Sequence, residues 1–170
     1  TGTVVRAWPN PKYFDSPSVN LAQLERSLRS KAVLLSGATI SLTLEKSGET
    51  RTWNYPDGLR SYLAESLAEF ELATPIAFQE NFAKKSDGGF AEGEGASWAL
   101  TWSAEGAVIR ESYVNLIPTP SGGTHEAGLR DGVFNSVKQF AELHGLLPKG
   151  VKLVPEEVAH PGVDGREQVR

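Results

Sequence analysis

The sequence predicts an α+β fold, in which helix and strand segments are mixed along one chain of 170 residues. Three observations carry this prediction. Residues 21–35 place apolar side chains at helical spacing, residues 39–55 alternate apolar and polar side chains, and residues 108–144 pass from a strand pattern through two glycines into a helix pattern. The apolar fraction of 39%, with four Trp and seven Phe, is sufficient for a folded core.

The N-terminal part of the chain is predicted to begin with a strand and a helix. Residues 2–8 show a period of two before Pro9, which is typical of a strand that a proline ends. Asn20 is a favourable N-cap residue, and Gln23 three positions later completes a capping box. The helix that begins there is predicted to end at Gly37. Its apolar stripe consists of Leu21, Leu24, Leu28 and Leu35.

A β-hairpin and a second helix are predicted next. Residues 39–44 alternate apolar and polar side chains, Ser47-Gly48 supplies a turn, and residues 50–55 return beside the first strand. After this hairpin the apolar residues again keep helical spacing. They are Leu59, Tyr62, Leu63, Leu67 and Phe70.

The second half of the chain is predicted to be richer in strands. A strand is expected at 76–82, and a mobile surface loop at 86–97, where four glycines and three acids leave little apolar content. The next strand alternates Trp98, Leu100 and Trp102, and its two tryptophans are assigned to the core. After a turn at Glu105-Gly106, residues 108–117 form the longest predicted strand, and a short strand is expected within 146–153.

The glycine pair Gly122 and Gly123 lies between the last long strand and the last helix. Two glycines with no following Lys-Ser/Thr are typical of a tight turn rather than a phosphate cradle. Gly123 is predicted to hold a positive φ, so that Gly123→Val should destabilise the fold. Thr124 is predicted to cap a helix over 124–144, and His125 is predicted to be a neutral side chain that fixes this structural loop by hydrogen bonding.

Composition excludes several kinds of site. The absence of Cys excludes disulfides, thiolate zinc sites and cysteine nucleophiles, and the three His lack metal-ligand spacing. No apolar run approaches the ~20 residues of a bilayer span, so no membrane partner and a cytoplasmic location are predicted. The net charge of −4 argues against autonomous DNA binding. Because Met is absent, even at position 1, further chain is expected upstream.

The strand–glycine loop–helix segment also carries a specific string of residues. Asn115-Leu116-Ile117-Pro118, Gly122-Gly123-Thr124-His125 and Gly128-Leu129-Arg130 resemble the transducer domain of the ATPase subunits of bacterial type II DNA topoisomerases. Within that family the topoisomerase IV branch is most similar, and gyrase is a near relative. The resemblance covers roughly residues 1–158. Further co-linear motifs are Gly2-Thr3-Val4-Val5-Arg6, Tyr13-Phe14-Asp15-Ser16-Pro17, Tyr55-Pro56-Asp57-Gly58-Leu59 and Leu146-Leu147-Pro148-Lys149-Gly150.

This resemblance implies a domain organisation and a role. Residues 1–72 match the C-terminal part of a GHKL-type ATPase domain, residues 73–158 match a ribosomal-S5-like transducer domain, and the tail 159–170 does not match the family. The implied role is to relay ATP binding and hydrolysis to clamp closure and DNA strand passage, in chromosome decatenation and relaxation. The implied partners of the full-length subunit are DNA, the DNA-cleaving A subunit, and a second copy joined through the ATPase domain.

The resemblance places few nucleotide-site residues on this chain. Family members bind ATP and Mg through residues upstream of this segment and through the lysine of a Gln-Thr-Lys motif. This chain contains neither, so no catalytic residue and no metal ligand are expected here. Thr3 and Val5 match positions of the nucleotide pocket, although Thr3 also fits an ordinary strand threonine. We therefore expect this chain alone to bind no nucleotide or magnesium and to hydrolyse no ATP, which calorimetry and a phosphate-release assay test.

Arg130 has two interpretations that the sequence leaves open. The arginine at this motif position in the family faces the cavity through which DNA passes. Arg130 also follows Glu126 by four positions, which fits a solvated ion pair on a helix surface. Such pairs stabilise a helix by only a few tenths of a kcal/mol.

Two rival classes share the predicted architecture. A non-enzymatic α+β binding or scaffold module with the transducer fold suits the acidic net charge and the absence of catalytic groups. Another GHKL ATPase, such as a mismatch-repair protein or a chaperone, also has this architecture. Gly122-Gly123-Thr124-His125 together with Leu146-Leu147-Pro148-Lys149-Gly150 argues against the second rival.

Overall fold

A computed structural model describes residues 2–16, 18–85, 91–103, 109–155 and 158 of this chain. Helices and strands are mixed along it, which confirms the α+β class. The chain divides into two compact units, Thr1–Gly58 and Leu59–Arg170. The predicted domain boundary between residues 72 and 73 stays a prediction. The turn predicted at Glu105-Gly106 and the tail 159–170 lie outside the described residues.

Helix α1, Leu21–Leu34, begins where the sequence predicts. The Asn20 side chain accepts a hydrogen bond of 3.0 Å from the Gln23 backbone N–H, which satisfies one of the free donors of the first turn. Gly37 follows the helix with a φ of +79°. The buried side of α1 differs from the predicted leucine stripe, because Leu21 and Leu35 are exposed while Ser30, Ala32 and Val33 are buried.

The predicted hairpin of the first unit is confirmed. Strand β1, Thr39–Thr43, pairs antiparallel with β2, Thr50–Asn54, with Ile40 opposite Trp53. The turn closes at Gly48, whose φ is +71°. Helix α1 packs on both strands, and Ala32, Val33 and Tyr55 form the core of this unit. On the exposed face, Arg51 of β2 pairs with Glu25 of α1 and with Glu49.

The strand predicted at residues 2–8 is wrong. This segment is irregular and pairs with none of the described residues. Its apolar side chains are exposed, with Val4 86%, Val5 81% and Trp8 79% accessible. An alternating sequence pattern favours an extended backbone, but a strand forms only where a second backbone segment pairs with its N–H and C=O groups.

The second unit begins with helix α2, Leu59–Ser66, and a two-stranded antiparallel sheet. Strand β3, Ala77–Phe82, pairs with β4, Gly95–Leu100, and α2 packs on both. The strand predicted at 76–82 is confirmed. The helix ends earlier than its apolar pattern indicates, so that Phe70 lies beyond it and is 41% exposed. The loop predicted at 86–97 is wrong at Gly95–Ser97, which belong to β4, while residues 86–90 lie outside the described residues.

The long strand predicted at 108–117 is replaced by a tight hairpin in its described part. Strand β5, Tyr113–Val114, pairs with β6, Ile117–Pro118, across a two-residue turn. Asn115 and Leu116 hold φ values of +47° and +68°, as the hairpin turn with two left-handed residues requires. A residue with positive φ interrupts a strand regardless of the side-chain alternation around it, which is why the pattern was misleading.

Helix α3, Thr124–Leu143, closely matches its predicted range. Leu129, Val133, Phe134 and Val137 are half-buried, Ala141 is buried, and Phe140 is 57% exposed. The short strand predicted within 146–153 is wrong, because those residues form a bend, a turn at 149–150 and irregular backbone. In the part of the chain that the structure describes, none of the three helices combines the length and the apolar composition of a bilayer span.

Candidate functional site

The glycine loop joins β6 to α3 and differs in detail from its prediction. Gly122 has a φ of +72° and donates its N–H to the Thr119 carbonyl at 2.8 Å, which closes the turn. Gly123 has a φ of 174°, an extended conformation open to any residue, so the positive φ predicted for it is wrong. The capping role predicted for Thr124 is also wrong, because Gly123 is the N-cap, Thr124 is the first helical residue, and no side chain caps the helix. The Gly123 carbonyl accepts from the N–H groups of Glu126 and Ala127.

The position that needs glycine is therefore Gly122. A Cβ at Gly122 would lie 2.8 Å from Oε2 of Glu126 and 3.1 Å from the Arg110 guanidinium. Such a contact adds to the strain that an L side chain has at positive φ. The absence of a side chain at this point lets the loop approach a charged cluster closely.

His125, which is predicted to fix the loop, has a hydrogen-bond partner within it. The His125 Nε2 lies 3.4 Å from Oγ1 of Thr119, the residue whose carbonyl closes the Gly122 turn. Thr119 Oγ1 is in turn 2.7 Å from the hydroxyl of Ser112, which also donates to the Thr119 carbonyl at 3.1 Å. This chain of polar groups links the start of α3 to the segment before β5.

Glu126 lies at the centre of the charged cluster beside the loop. Arg110 Nε binds Glu126 Oε1, and Arg130 Nη2 lies 3.5 Å from the same oxygen. The Glu126 side chain is only 15% exposed, whereas Arg110 and Arg130 are 60% and 50% exposed. The hydrogen bond from Arg110 lowers the pKa of Glu126 below its ordinary 4.5, although burial raises it, and the charges of both arginines lower it further.

This lowered pKa gives the cluster a pH dependence. The stabilisation from ionised Glu126 is fully present above its ordinary pKa of 4.5 and is lost as the pH falls through the lower folded value. We expect the difference in melting temperature between the wild type and Glu126→Gln to be largest near neutral pH and to shrink below about pH 4. Thermal denaturation across this range tests it. Glu142→Gln is the matched control, because that carboxylate is 58% exposed and 4.0 Å from Lys138, and a similar trend there would contradict the expectation.

The charged cluster lines a cleft of about 290 Å³ within the second unit. Glu111 also lines this cleft and accepts hydrogen bonds from the hydroxyls of Tyr62, at 2.7 Å, and Tyr113. The Trp102 indole N–H donates to the Val158 carbonyl at 2.9 Å, which brings the end of the described chain to the cleft. The apolar lining includes Leu59, Leu63, Leu100, Leu129 and Val133.

The structure brings some predicted site residues together and leaves others apart. Arg130 lines the cleft and Gly122 lies beside it. Thr3 and Val5 are exposed on the irregular N-terminal segment, and their place in a nucleotide pocket stays a prediction. Sequence reasoning missed Arg110, because no local pattern connects it to Glu126, sixteen positions further along the chain. The described residues contain no cluster of acidic or histidine side chains arranged to hold a metal ion.

Comparison with known proteins places the sequence in a family. A family model described as DNA gyrase B matches residues 58–162. The B subunit of DNA topoisomerase 4 from Pseudomonas aeruginosa is 45% identical over 159 residues, which cover 93% of this chain and 24% of that protein. The chain belongs to the DNA gyrase B family. The B subunit of DNA topoisomerase 4 from Escherichia coli is 41% identical over 159 residues, which again cover 93% of this chain and 24% of that protein. The chain thus spans about a quarter of the length of these curated relatives.

Solved structures of this family share the fold. The topoisomerase IV ATP-binding domain of Francisella tularensis, in complex with a small-molecule inhibitor, has a TM-score of 0.66 and 34% identity, over 88% of this chain and 38% of that one. The 43K ATPase domain of Thermus thermophilus gyrase B, in complex with an aminocoumarin, has a TM-score of 0.64 and 21% identity, over 85% of this chain and 38% of that one. The second likeness is one of fold alone.

Proposed function

We propose that this chain is a segment of the ATP-hydrolysing subunit of a bacterial type II topoisomerase, of the topoisomerase IV branch. The segment relays ATP binding and hydrolysis to clamp closure and DNA strand passage. The observation that carries this proposal is the 45% identity to the B subunit of a topoisomerase 4 over 93% of the chain. The rival interpretation as a non-enzymatic scaffold finds no support in these relatives.

The proposal extends to cofactors, partners and location. The full-length subunit uses ATP and Mg, acts on DNA with the DNA-cleaving A subunit, dimerises through its ATPase domain and works in the cytoplasm. Residues 1–72 belong to the GHKL-type ATPase domain in this proposal, and residues 73–158 belong to the transducer. Thr3 and Val5 contribute to the nucleotide pocket only when the rest of that domain surrounds them, and no step of hydrolysis is assigned to this chain.

Arg130 is the residue of this chain that we propose to face DNA. Its guanidinium is 50% exposed at the cleft, and its ion pair with Glu126, at 3.5 Å, is at the outer limit of a hydrogen bond. A surface pair of this length contributes little to stability, so it does not by itself account for the residue. An exposed arginine with a weak intramolecular partner keeps its charge available for a phosphate.

Arg130→Gln in the full-length subunit tests this assignment. We expect DNA stimulation of the ATPase to fall several-fold while the rate without DNA changes much less, because a phosphate contact is lost. Steady-state ATPase assays with and without duplex DNA measure both rates. Lys138→Gln is the matched control, since Lys138 is a 47% exposed cation on the same helix and lies outside the cleft. An equal fall of both rates would favour a structural ion pair.

A further inference from the structure

Two guanidinium groups share one carboxylate oxygen in the charged cluster. Arg110 and Arg130 both point a nitrogen at Oε1 of Glu126. Arg110 binds this oxygen closely, whereas Arg130 Nη2 lies 3.5 Å from it. The strength of a charge-assisted hydrogen bond falls steeply with distance, so the carboxylate is neutralised mainly by Arg110. The cluster is therefore asymmetric, with one paired arginine and one nearly free arginine.

We propose that Arg110 is a positioning residue that occupies Glu126 and so leaves the charge of Arg130 available for the DNA backbone. This inference rests on the proposed function, because it needs Arg130 to face DNA. Arg110 acts through Glu126 and not by contact with DNA. Without Arg110, the carboxylate would draw Arg130 into an i,i+4 pair on α3, which is a geometry that helices form readily.

The surroundings of Glu126 hold its carboxylate where both Arg110 and Arg130 can pair with it. Oε2 lies 3.4 Å from the Ser112 hydroxyl and close to the backbone of Gly122, where a Cβ would come within 2.8 Å. The side chain is 15% exposed, so it cannot turn freely into solvent when Arg110 is removed. Its remaining cationic neighbour in the described part of the cluster is then Arg130.

The other carboxylate on the cleft lining does not compete for Arg130. Glu111 accepts hydrogen bonds from the hydroxyls of Tyr62 and Tyr113, one at each oxygen. These neutral donors stabilise its charge without involving an arginine. Within the described lining, Glu126 is thus the carboxylate that pairs with Arg130, and the state of Arg110 decides how strongly it does so.

The test is a double-mutant cycle in the full-length subunit, assembled with its A subunit. The variants are Arg110→Gln, Glu126→Gln and the pair combined, and the readout is the duplex DNA concentration that gives half-maximal ATPase stimulation, at two salt concentrations. We expect Arg110→Gln to raise this concentration about two- to fivefold, the range that an exposed ion pair accounts for. Glu126→Gln should lower it or leave it unchanged, and the combined variant should behave like Glu126→Gln alone.

Each alternative gives a different pattern. If Arg110 itself contacts phosphate, Arg110→Gln weakens the DNA response equally in the Glu126→Gln background, which overturns the proposal. A weaker DNA response in Glu126→Gln alone also overturns it, and this measurement does not depend on whether Arg110→Gln folds. Glu142→Gln is the control for net charge and should change nothing, since Glu142 pairs with Lys138 outside the cleft. A normal DNA response in Arg130→Gln would instead refute the DNA-facing role proposed for Arg130.

Discussion

Gly122→Val is expected to destabilise the chain by about 2–4 kcal/mol. A β-branched residue at a φ of +72° is strained, which accounts for about 1–2 kcal/mol. The new side chain would also displace the Glu126 carboxylate, since a Cβ alone comes within 2.8 Å of it, and this breaks the ion pair with Arg110. Urea and thermal unfolding followed by circular dichroism measure the loss.

Gly128→Ala is the matched control for this substitution. Gly128 lies inside α3, has no positive φ and has open space where its Cβ would be placed. Alanine in a helix interior is favoured over glycine by up to about 1 kcal/mol, so the control should stabilise the chain slightly. An unchanged unfolding free energy in Gly122→Val would mean that the loop does not need a left-handed residue at this position. It would also mean that the new side chain does not break the Glu126–Arg110 pair.

Val33→Asp is expected to unfold the first unit, with a loss of more than about 3 kcal/mol. Val33 is 1% exposed and lies in the small core formed with Ala32 and Tyr55, so a carboxylate placed there would lose its hydration. The free energy of unfolding that such a small core provides is less than the cost of burying an unpaired charge. Hydrogen exchange should show loss of amide protection in α1, β1 and β2.

Val19→Asp tests whether the effect of Val33→Asp comes from burial. Val19 is 68% exposed and lies directly before the N-cap of α1. An added negative charge beside a helix N-terminus is neutral or favourable, so this variant should keep the protection of the wild type. Retained protection in Val33→Asp would mean that the first unit is not held together by this core.

Local interactions account for the parts of the fold that the sequence predicts well. The start of α1 depends on Asn20 and Gln23, which are three residues apart, and the β1–β2 hairpin depends on a turn with Gly48 at positive φ. The range of α3 likewise follows from its own apolar spacing. The partners in these interactions are neighbours in the sequence, so the pattern contains the information that the fold uses.

Interactions over longer separations account for the rest. The strand pattern at 2–8 has no partner strand among the described residues, and Asn115 and Leu116 fold the expected long strand back on itself. In the candidate site, the sequence identified Glu126 as an i−4 neighbour of Arg130 but not the closer pair with Arg110. It also assigned the positive φ to the second glycine, although the turn places it at Gly122.

Several features of this chain follow from its sequence: the family, the α+β class, the Asn20 cap of α1, the Gly48 turn, and the position of Arg130 on a helix after a glycine loop. Three features follow only from the tertiary structure: the strand pairing outside the β1–β2 hairpin, the glycine that must be left-handed, and the arginine that neutralises Glu126. The physical reason is that periodicity and capping act within a few residues, whereas hydrogen-bond ladders and ion pairs depend on which distant backbone and charge are brought within about 3 Å.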